Sequence, residues 1–204
     1  LSQVKNLIEV FAGKKPSMGA VVFDTPGKTF RDEKYPAYKA QRPRMPSELR
    51  MQIEWIHKIV EAHDFPTLSV EGFEADDVIG TLVKQALALG HEVHIISADK
   101  DFAQLITDDV KMIDTMREVT YDPELVRKKW GVPPGSIVDL LALMGDKVDN
   151  VPGVPRVGEK TAGKLIAEFG SLDELLARTG DVKPPAIKAS LEANRDLALL
   201  SRTL

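Results

Sequence analysis

The chain has no cysteine among its 204 residues and no long apolar run. The first absence excludes disulfides, thiolate metal ligands and cysteine nucleophiles, and it fits a reducing compartment. The second argues against a membrane-spanning helix, because a span needs about 20 consecutive apolar residues. No signal-peptide pattern opens the sequence. We therefore expect a protein with no membrane partner.

The composition is that of an ordinary globular protein, with 43% apolar and 28% charged residues. The length suits one sizeable domain, or a domain with a small appendage. A net charge of −4 argues at first against nucleic-acid binding. The charge is unevenly distributed, however, and distribution decides such binding more than the sum does.

Residues 72–77 contain three crowded carboxylates, and a predicted helix starts at the end of this stretch. Glu74, Asp76 and Asp77 fall within four positions, and carboxylates this close must take up protons or bind cations. Capping of the helix by an acid is the alternative. A cap accounts for one acidic residue but not for three.

The order of strands and helices predicts an α/β fold with a mostly parallel central sheet flanked by helices. We predict strands at residues 20–23, 67–70, 92–97 and 110–113, the last at a sheet edge, and a core-facing helix at residues 2–12. Ligands bind such sheets outside the carboxyl ends of the strands. Asp24, the Glu74 cluster, and Asp99 with Asp101 all fall at those ends.

Residues 25–46 form a long polar segment with an excess of basic residues. Aromatic side chains alternate with them, a composition that suits a phosphate backbone and unstacked bases. A solvated surface loop is the alternative. The residues are Lys28, Arg31, Lys34, Lys39, Arg42 and Arg44, with Phe30, Tyr35 and Tyr38.

The acids predict a site for hard cations. With oxygen ligands and no suitably spaced histidine or cysteine, Mg²⁺ or Mn²⁺ is favoured over zinc. Asp146 and Asp149, at i and i+3, add a further pair. The number of acids exceeds the need of one ion and suggests two, roughly 3.5–4 Å apart, as in phosphoryl-transfer sites. Taken singly, each pair could also be surface decoration.

Beyond about residue 123 the sequence changes to short helices punctuated by glycine and proline, which we predict at residues 123–130, 136–144, 158–169, 172–179 and 184–200. We divide the chain into an α/β region at residues 1–132 and a smaller all-helical region at residues 133–204. Gly158 precedes a predicted helix, where backbone N–H groups with Lys160 and Thr161 can bind a phosphate. An ordinary helical hairpin turn is the alternative.

With these motifs the chain resembles the 5′-nuclease domain of bacterial DNA polymerase I, within the flap-endonuclease family. The matching stretches run in family order along nearly the whole chain. They are VVFD (21–24), FRDEKYPAYKAQRP (30–43), GFEADD (72–77), SADKD (97–101), GDKVDN (145–150) and PGVPRVGEKTA (152–162).

The resemblance implies a PIN-like 5′-nuclease fold with a helix–three-turn–helix region. It implies a two-metal-ion nuclease that acts on DNA with 5′ ends or flaps, in replication and repair. In that family the basic segment 25–46 forms an arch over the metals. The implied metal ligands are Asp24, Glu74, Asp76, Asp77, Asp99, Asp101, Asp146 and Asp149.

Roles in DNA handling also follow from the resemblance. Lys39 and Arg42 fall on arch residues that contact the scissile phosphate. Arg31 is implied to bind a phosphate, and Tyr38, which lies beside the arch residues, to stack on an unpaired base. The loop that grips duplex DNA, with a monovalent cation such as K⁺, corresponds to Val157, Gly158, Lys160 and Thr161.

The family also begins with a strand that carries another metal-ligand aspartate, and this sequence starts after it. A DNA-binding module without turnover is therefore the alternative function. A small-molecule phosphatase is disfavoured, because it has no use for the arch or the hairpin. The resemblance further implies a monomer in the bacterial cytoplasm, at the nucleoid, with a covalently linked polymerase region.

Overall fold

A computed structural model describes residues 9–10, 12–13, 16–43 and 45–204. The helix predicted at residues 2–12 therefore lies largely outside the described residues, as does Arg44. Within the described ranges, no helix has both the length and the apolar character that crossing a bilayer requires.

The strands pair mostly in parallel, which confirms the α/β class. Strand β1 (Val21–Val22) pairs in parallel with β2 (Thr67–Leu68). In a second small sheet, β3 (Val93–Ile96) pairs in parallel with β4 (Val110–Asp114), which pairs antiparallel with β5 (Val119–Tyr121). The described strands thus form two separate small sheets.

The edge position predicted for residues 110–113 was wrong. Strand β4 is central in its sheet, because β5 returns along its free side after a tight turn. The carboxylate of Asp114 holds this turn by accepting hydrogen bonds from the backbone N–H groups of Met116 and Arg117, both at 3.0 Å.

The helices account for most of the remaining chain. In chain order they are α1 (Phe30–Lys34), α2 (Ser47–Ala62), α3 (Ala75–Ala88), α4 (Pro123–Trp130), α5 (Ile137–Met144), α6 (Glu159–Phe169), α7 (Leu172–Ala177), α8 (Pro185–Ala193) and α9 (Arg195–Thr203). Short 3₁₀ helices span Lys100–Leu105, Pro134–Ser136 and Thr179–Asp181.

Two local differences from the sequence prediction have physical causes. Helix α1 lies inside the segment expected to be irregular, because Thr29 and Asp32 cap its first turn through hydrogen bonds of 2.7 and 3.1 Å. The single helix predicted at residues 184–200 is two helices, α8 and α9. The chain breaks at Asn194, whose φ and ψ are −126° and 30°.

One hydrophobic core runs through both predicted regions. It extends from Val83 in α3 and Ile95 in β3 to Leu140 in α5, Leu172 in α7 and Ala198 in α9. Helix α5 is apolar on most of its surface because α6 and α9 both pack against it. The division at residues 132 and 133 stays a prediction.

Candidate active site

The first acids converge where β1 ends and α3 begins. Glu74 is the N-cap of α3 and forms a capping box with Asp77, whose side chain accepts a hydrogen bond from the Glu74 N–H at 3.1 Å. Asp24, just after β1, accepts a hydrogen bond from the backbone N–H of Ala75 at 2.7 Å. The helix start therefore binds an acid from the neighbouring strand.

The second group of acids follows β3. Asp99 caps the 3₁₀ helix Lys100–Leu105 and accepts a hydrogen bond from the backbone N–H of Asp101 at 3.0 Å. The charge of Asp99 also reaches the first group, since it raises the pKa of Asp76. The carboxyl ends of β1 and β3, which belong to the two separate sheets, thus bring both groups together. This agrees with the rule that ligands bind at the carboxyl ends of parallel strands, called here the strand-end rule.

The third group lies in a loop of the helical region, residues 145–153. Asp146 and Val151 exchange backbone hydrogen bonds of 3.0 and 2.7 Å, which close the loop. The carboxylate of Asp146 also accepts a hydrogen bond from the Val148 N–H at 2.6 Å. Asp149 sits at the tip of this loop, against the base of the segment 25–46.

Basic side chains pair with four of the eight acids. Arg31 donates to both oxygens of Asp77 at 2.7 and 2.8 Å, and Lys39 lies 2.8 Å from both oxygens of Glu74. Lys100 contacts Asp146 at 2.5 Å, and Arg42 pairs with Asp149. The predicted arch residues are thus in direct contact with the predicted metal ligands.

The pairs change protonation equilibria in the expected directions. Burial by itself raises the pKa of Asp77, but the Arg31 guanidinium outweighs it, so the pKa lies below its ordinary value. The same balance holds at Asp146, where burial is outweighed by Lys100 and the pKa is again lowered. Both carboxylates are therefore held in their charged form.

Asp76 and Asp101 face carboxylates instead. Burial, followed by the charges of Asp99, Asp24 and Glu74, raises the pKa of Asp76 to about 7. Burial, followed by the charge of Asp99, raises the pKa of Asp101 to about 6. Additional positive charge beside these two carboxyl groups would lower the free energy of the charged cluster.

A cleft of about 360 Å³ collects acids from all three groups. Its walls come from α3, the 3₁₀ helix that follows β3, the loop 145–153 and the end of α9. The charged residues that line it are Arg31, Glu74, Asp76, Asp77, Lys84, Asp101, Asp146, Asp149 and Arg202. The cleft therefore joins the two regions that the sequence divides.

The donor set suits a hard divalent cation, because it consists of carboxylates and the charged forms of two of them are destabilised by burial and by neighbouring carboxylates. In the described part of the chain, no three acidic or histidine side chains converge tightly enough to hold an ion. Glu74, Asp77, Asp146 and Asp149 are each paired with a basic side chain. Asp76 and Asp101 are the acids best placed to begin such a site.

The residues of the predicted duplex-binding turn lie outside this cleft. Gly158 is the N-cap of α6, with an extended backbone at φ −93° and ψ 176°, and its carbonyl accepts from the Thr161 and Ala162 N–H groups at 2.9 Å. Lys160 is exposed in the first turn, whereas Val157 is buried in the core. This turn forms a second surface at the N-terminus of α6.

Two residues assigned to DNA occupy positions inside the protein. Tyr38 is 6% exposed and donates a hydrogen bond to Glu74 at 3.2 Å, so its ring does not face solvent as a stacking platform would. Arg31 directs its guanidinium at Asp77 and its Nε at the Leu204 carbonyl. Their contacts with DNA stay a prediction.

Sequence reasoning missed three contacts. Lys100 lies between Asp99 and Asp101 in the sequence, so its position next to acids was a signal that we did not use. Asn150 and Ser201 make hydrogen bonds to residues 113 and 48 positions away. No local pattern indicates contacts of that range.

Two protein-family profiles together match the whole chain. Residues 1–131 match "5′-3′ exonuclease, N-terminal resolvase-like domain", and residues 132–204 match "5′-3′ exonuclease, C-terminal SAM fold". A 5′-3′ exonuclease of Aquifex aeolicus is 40% identical over 200 residues, covering 97% of this chain and 69% of its own length.

DNA polymerase I of Rhizobium leguminosarum is 46% identical over 192 residues, covering 94% of this chain. The chain spans about a fifth of that relative, 19% of its length. Among solved structures, the bacteriophage T5 D15 flap endonuclease in a pseudo-enzyme-product complex with DNA and metal ions has a TM-score of 0.85 and 26% identity. That match covers 98% of this chain and 77% of the other.

Proposed function

The chain belongs to the 5′-3′ exonuclease family, and on that premise we propose that it hydrolyses phosphodiester bonds in DNA that carries 5′ ends or flaps. One observation supports this most directly. Acids from the sheet edge and from the helical region meet in one cleft, beside the basic side chains of the segment 25–46.

The cleft would hold two Mg²⁺ ions, for which Mn²⁺ can substitute. Such ions supply Lewis acidity and an activated water for in-line attack on phosphorus. Asp76 and Asp101 support the proposal, because burial and neighbouring carboxylates raise their pKa values, and a cation beside them would oppose both effects. The acids that would hold the ions are the six that line the cleft, Glu74, Asp76, Asp77, Asp101, Asp146 and Asp149, together with Asp24 and Asp99, which lie near Asp76 outside the lining.

Lys39 and Arg42 would receive the phosphate. Each holds a carboxylate in this structure, Lys39 with Glu74 and Arg42 with Asp149. A DNA phosphate also carries one negative charge shared by two terminal oxygens, so it can replace these carboxylates as the partner. Arg31, which is bidentate to Asp77, would contribute positive charge from beneath the phosphate.

Duplex DNA would bind at the start of α6. The exposed Lys160 and the backbone N–H groups after Gly158 suit a phosphate at a helix N-terminus. Thr161 would add a hydroxyl, and the loop of Val157, Gly158, Lys160 and Thr161 would hold a K⁺ ion, which would supply positive charge for the DNA backbone. The T5 flap endonuclease complex with DNA and metal ions supports this proposal by its fold similarity.

The full-length protein would carry a polymerase region, since the chain spans 19% of its DNA polymerase I relative from Rhizobium. We also propose that the protein acts in primer removal and flap processing, in replication and repair, as a monomer at the nucleoid in the bacterial cytoplasm.

A DNA-binding module without turnover is the second candidate. It is favoured by the observation that, over the described ranges, the acids form no ready-made ion site. A module of this kind would bind DNA through the segment 25–46 and the α6 turn alone.

Cleavage of a 5′-flap duplex with Mg²⁺ tests the proposal. We expect stable binding in EDTA, cleavage near the flap junction after Mg²⁺ is added, and no cleavage of a 3′-flap duplex of the same sequence. Binding in EDTA with the DNA left uncut in Mg²⁺ would identify the binding module instead. Asp77→Asn is expected to cut much more slowly, and wild-type cutting by this variant would refute the metal assignment.

A further inference from the structure

The motif GDKVDN contains a residue that the proposed chemistry does not use. Its aspartates, Asp146 and Asp149, are candidate metal ligands, but Asn150 is neither charged nor in the cleft wall. Asn150 has a left-handed backbone with φ of 58°, a conformation that asparagine tolerates better than most residues. Its side chain is partly buried and donates a hydrogen bond to the Ala37 carbonyl at 2.6 Å.

Two further hydrogen bonds join the same two segments. The backbone N–H of Lys39 donates to the Asp149 carbonyl at 2.9 Å. The side chain of Gln41 donates to the Lys147 carbonyl at 2.7 Å. Residues 147–150 are thereby fastened to residues 37–41, at the base of the segment 25–46.

The loop that carries Asn150 is itself rigidly anchored. Gly145 and Gly153 both have positive φ, 69° and 60°, and approach each other so closely that a Cβ on Gly145 would lie 2.9 Å from the Gly153 nitrogen. The Gly153 N–H donates to the buried hydroxyl of Ser201 at 2.9 Å, and Ser201 donates to the Leu197 carbonyl at 2.7 Å. The loop thus has a fixed position on α9.

We propose that Asn150 is a positioning residue, which holds the backbone of Lys39 against the loop 145–153 and so places the Lys39 ammonium against Glu74, which lines the acid cleft. Lys39 has a left-handed backbone as well, with φ of 53°, which costs free energy and persists only where the surroundings hold it. The Asn150 amide and the Asp149 carbonyl supply that restraint on the two sides of Tyr38. The catalytic part of this role rests on the proposed function.

The Lys39 amide proton reports the restraint directly, without any cleavage. We expect Asn150→Gly, which keeps the left-handed backbone but loses the amide, to speed hydrogen exchange at the Lys39 N–H by about tenfold, measured by NMR. This factor is the one expected for the loss of one hydrogen bond. Unchanged exchange at Lys39 would overturn the proposal.

Asn194 provides the matched control. Its side-chain amide also donates to a backbone carbonyl, that of Ser190, at 2.8 Å. Asn194 lies at the junction of α8 and α9. Asn194→Gly is expected to leave exchange at the Lys39 N–H as in the wild type. Equal acceleration by both variants would mean a general loss of stability and would overturn the assignment to Asn150.

A second variant covers the case in which Asn150→Gly does not fold. Gln41 is exposed and joins the same two segments from the other side. Gln41→Ala is expected to speed hydrogen exchange at the Lys39 N–H severalfold. Exchange at the wild-type rate in this variant would contradict the proposal that contacts between residues 37–41 and 147–150 restrain Lys39.

Turnover separates this inference from the proposed function. On a 5′-flap duplex, Asn150→Gly is expected to lower kcat by about 10- to 100-fold, the cost of a misplaced group, while KM stays within about twofold. A wild-type kcat would refute the positioning role. A wild-type protein that binds DNA but never cuts it would refute the proposed function. Hydrogen exchange at Lys39 would still test whether Asn150 holds the Lys39 backbone against the loop 145–153.

Discussion

At the scale of single residues, the acids of the cleft differ in their nearest partner. Glu74, Asp77, Asp146 and Asp149 are paired with basic side chains, and these pairs keep the pKa of Asp77 and of Asp146 low. Asp76 and Asp101 face other carboxylates, and their pKa values rise to about 7 and about 6. Crowded acids whose charge is incompletely balanced are typical of functional sites.

Asp114 shows the opposite situation, an acid that serves stability. It is 1% exposed, accepts hydrogen bonds from two turn N–H groups, and pairs with Arg117 at 2.8 Å. We expect Asp114→Ala to lower the free energy of unfolding by about 1–3 kcal/mol, because the turn donors lose their partner. Denaturant unfolding followed by circular dichroism measures this change.

The control is an Asp–Arg pair with the same spacing on the surface. Asp181 pairs with Arg178 at 2.9 Å, and both side chains are more than half exposed. Asp181→Ala is expected to change the free energy of unfolding by less than about 0.5 kcal/mol. Equal losses of unfolding free energy in Asp181→Ala and Asp114→Ala would contradict the stabilising role of Asp114 in the turn.

The lowered pKa of Asp114 predicts that the stability of the protein depends on pH. Burial alone would raise the pKa of Asp114, but the hydrogen bonds from Arg117 outweigh it and lower the pKa. A lowered folded-state pKa gives stability that is present above the unfolded value, about 3.9, and is lost as the pH falls through the folded value. Asp114→Asn should therefore show a smaller loss of stability below about pH 4 than the wild type.

At the scale of elements, helix α5 is the centre of the helical region. Leu140 is fully buried between neighbouring helices, whereas Leu89, just after α3, is 74% exposed. We expect Leu140→Ala to cost about 2–5 kcal/mol of unfolding free energy through lost burial and the cavity left behind. Leu89→Ala should cost less than about 0.5 kcal/mol, and a similar cost for both would contradict the assigned core.

The loop 145–153 depends on two glycines. A Cβ on Gly145 would lie 2.6 Å from the Val151 carbonyl oxygen, and φ is positive there. Gly145→Ala should therefore cost about 2 kcal/mol or more in thermal or chemical unfolding. A Cβ on Gly80, in helix α3, would lie 3.9 Å from the nearest side-chain atom, an ordinary contact. Gly80→Ala is therefore expected to be neutral or to stabilise the protein by up to about 1 kcal/mol.

How far sequence reasoning reached depended on the range of the interactions. Helix α4 was predicted with its observed bounds, because a cap, a proline and a terminal glycine are local signals. Strand β5 was missed, since three residues carry little periodicity. The break at Asn194 was also missed, because apolar spacing continues through it.

The candidate site shows the same limit. The strand-end rule indicated Asp24, Asp99 and Asp101, and the structure places Asp24 and Asp99 near Asp76 and Asp101 near Asp99. It could not indicate which cation pairs with which acid, because Arg31 and Asp77 are 46 residues apart and Arg42 and Asp149 are 107 apart. Those pairings are set by packing between the two regions.

At the scale of the whole molecule, the cleft exists because the two regions share a core. The ends of the strands supply Glu74, Asp76 and Asp101, and the helical region supplies Asp146 and Asp149 through the loop beside α9. Lys39 of the segment 25–46 bridges the two groups, because its ammonium lies 2.8 Å from Glu74 and 3.8 Å from Asp149. A site that needs both regions should lose function when either is disturbed.

Titration with Mn²⁺, followed by electron paramagnetic resonance and calorimetry, tests most directly the central claim that these acids form a divalent-cation site. We expect saturable binding of about two ions per chain, as in other two-metal sites. Asp76→Asn should lose at least one of them, while Asp108→Asn, on an exposed loop before β4, should bind as the wild type does. Absence of saturable binding in the wild type, or unchanged binding by Asp76→Asn, would contradict the account.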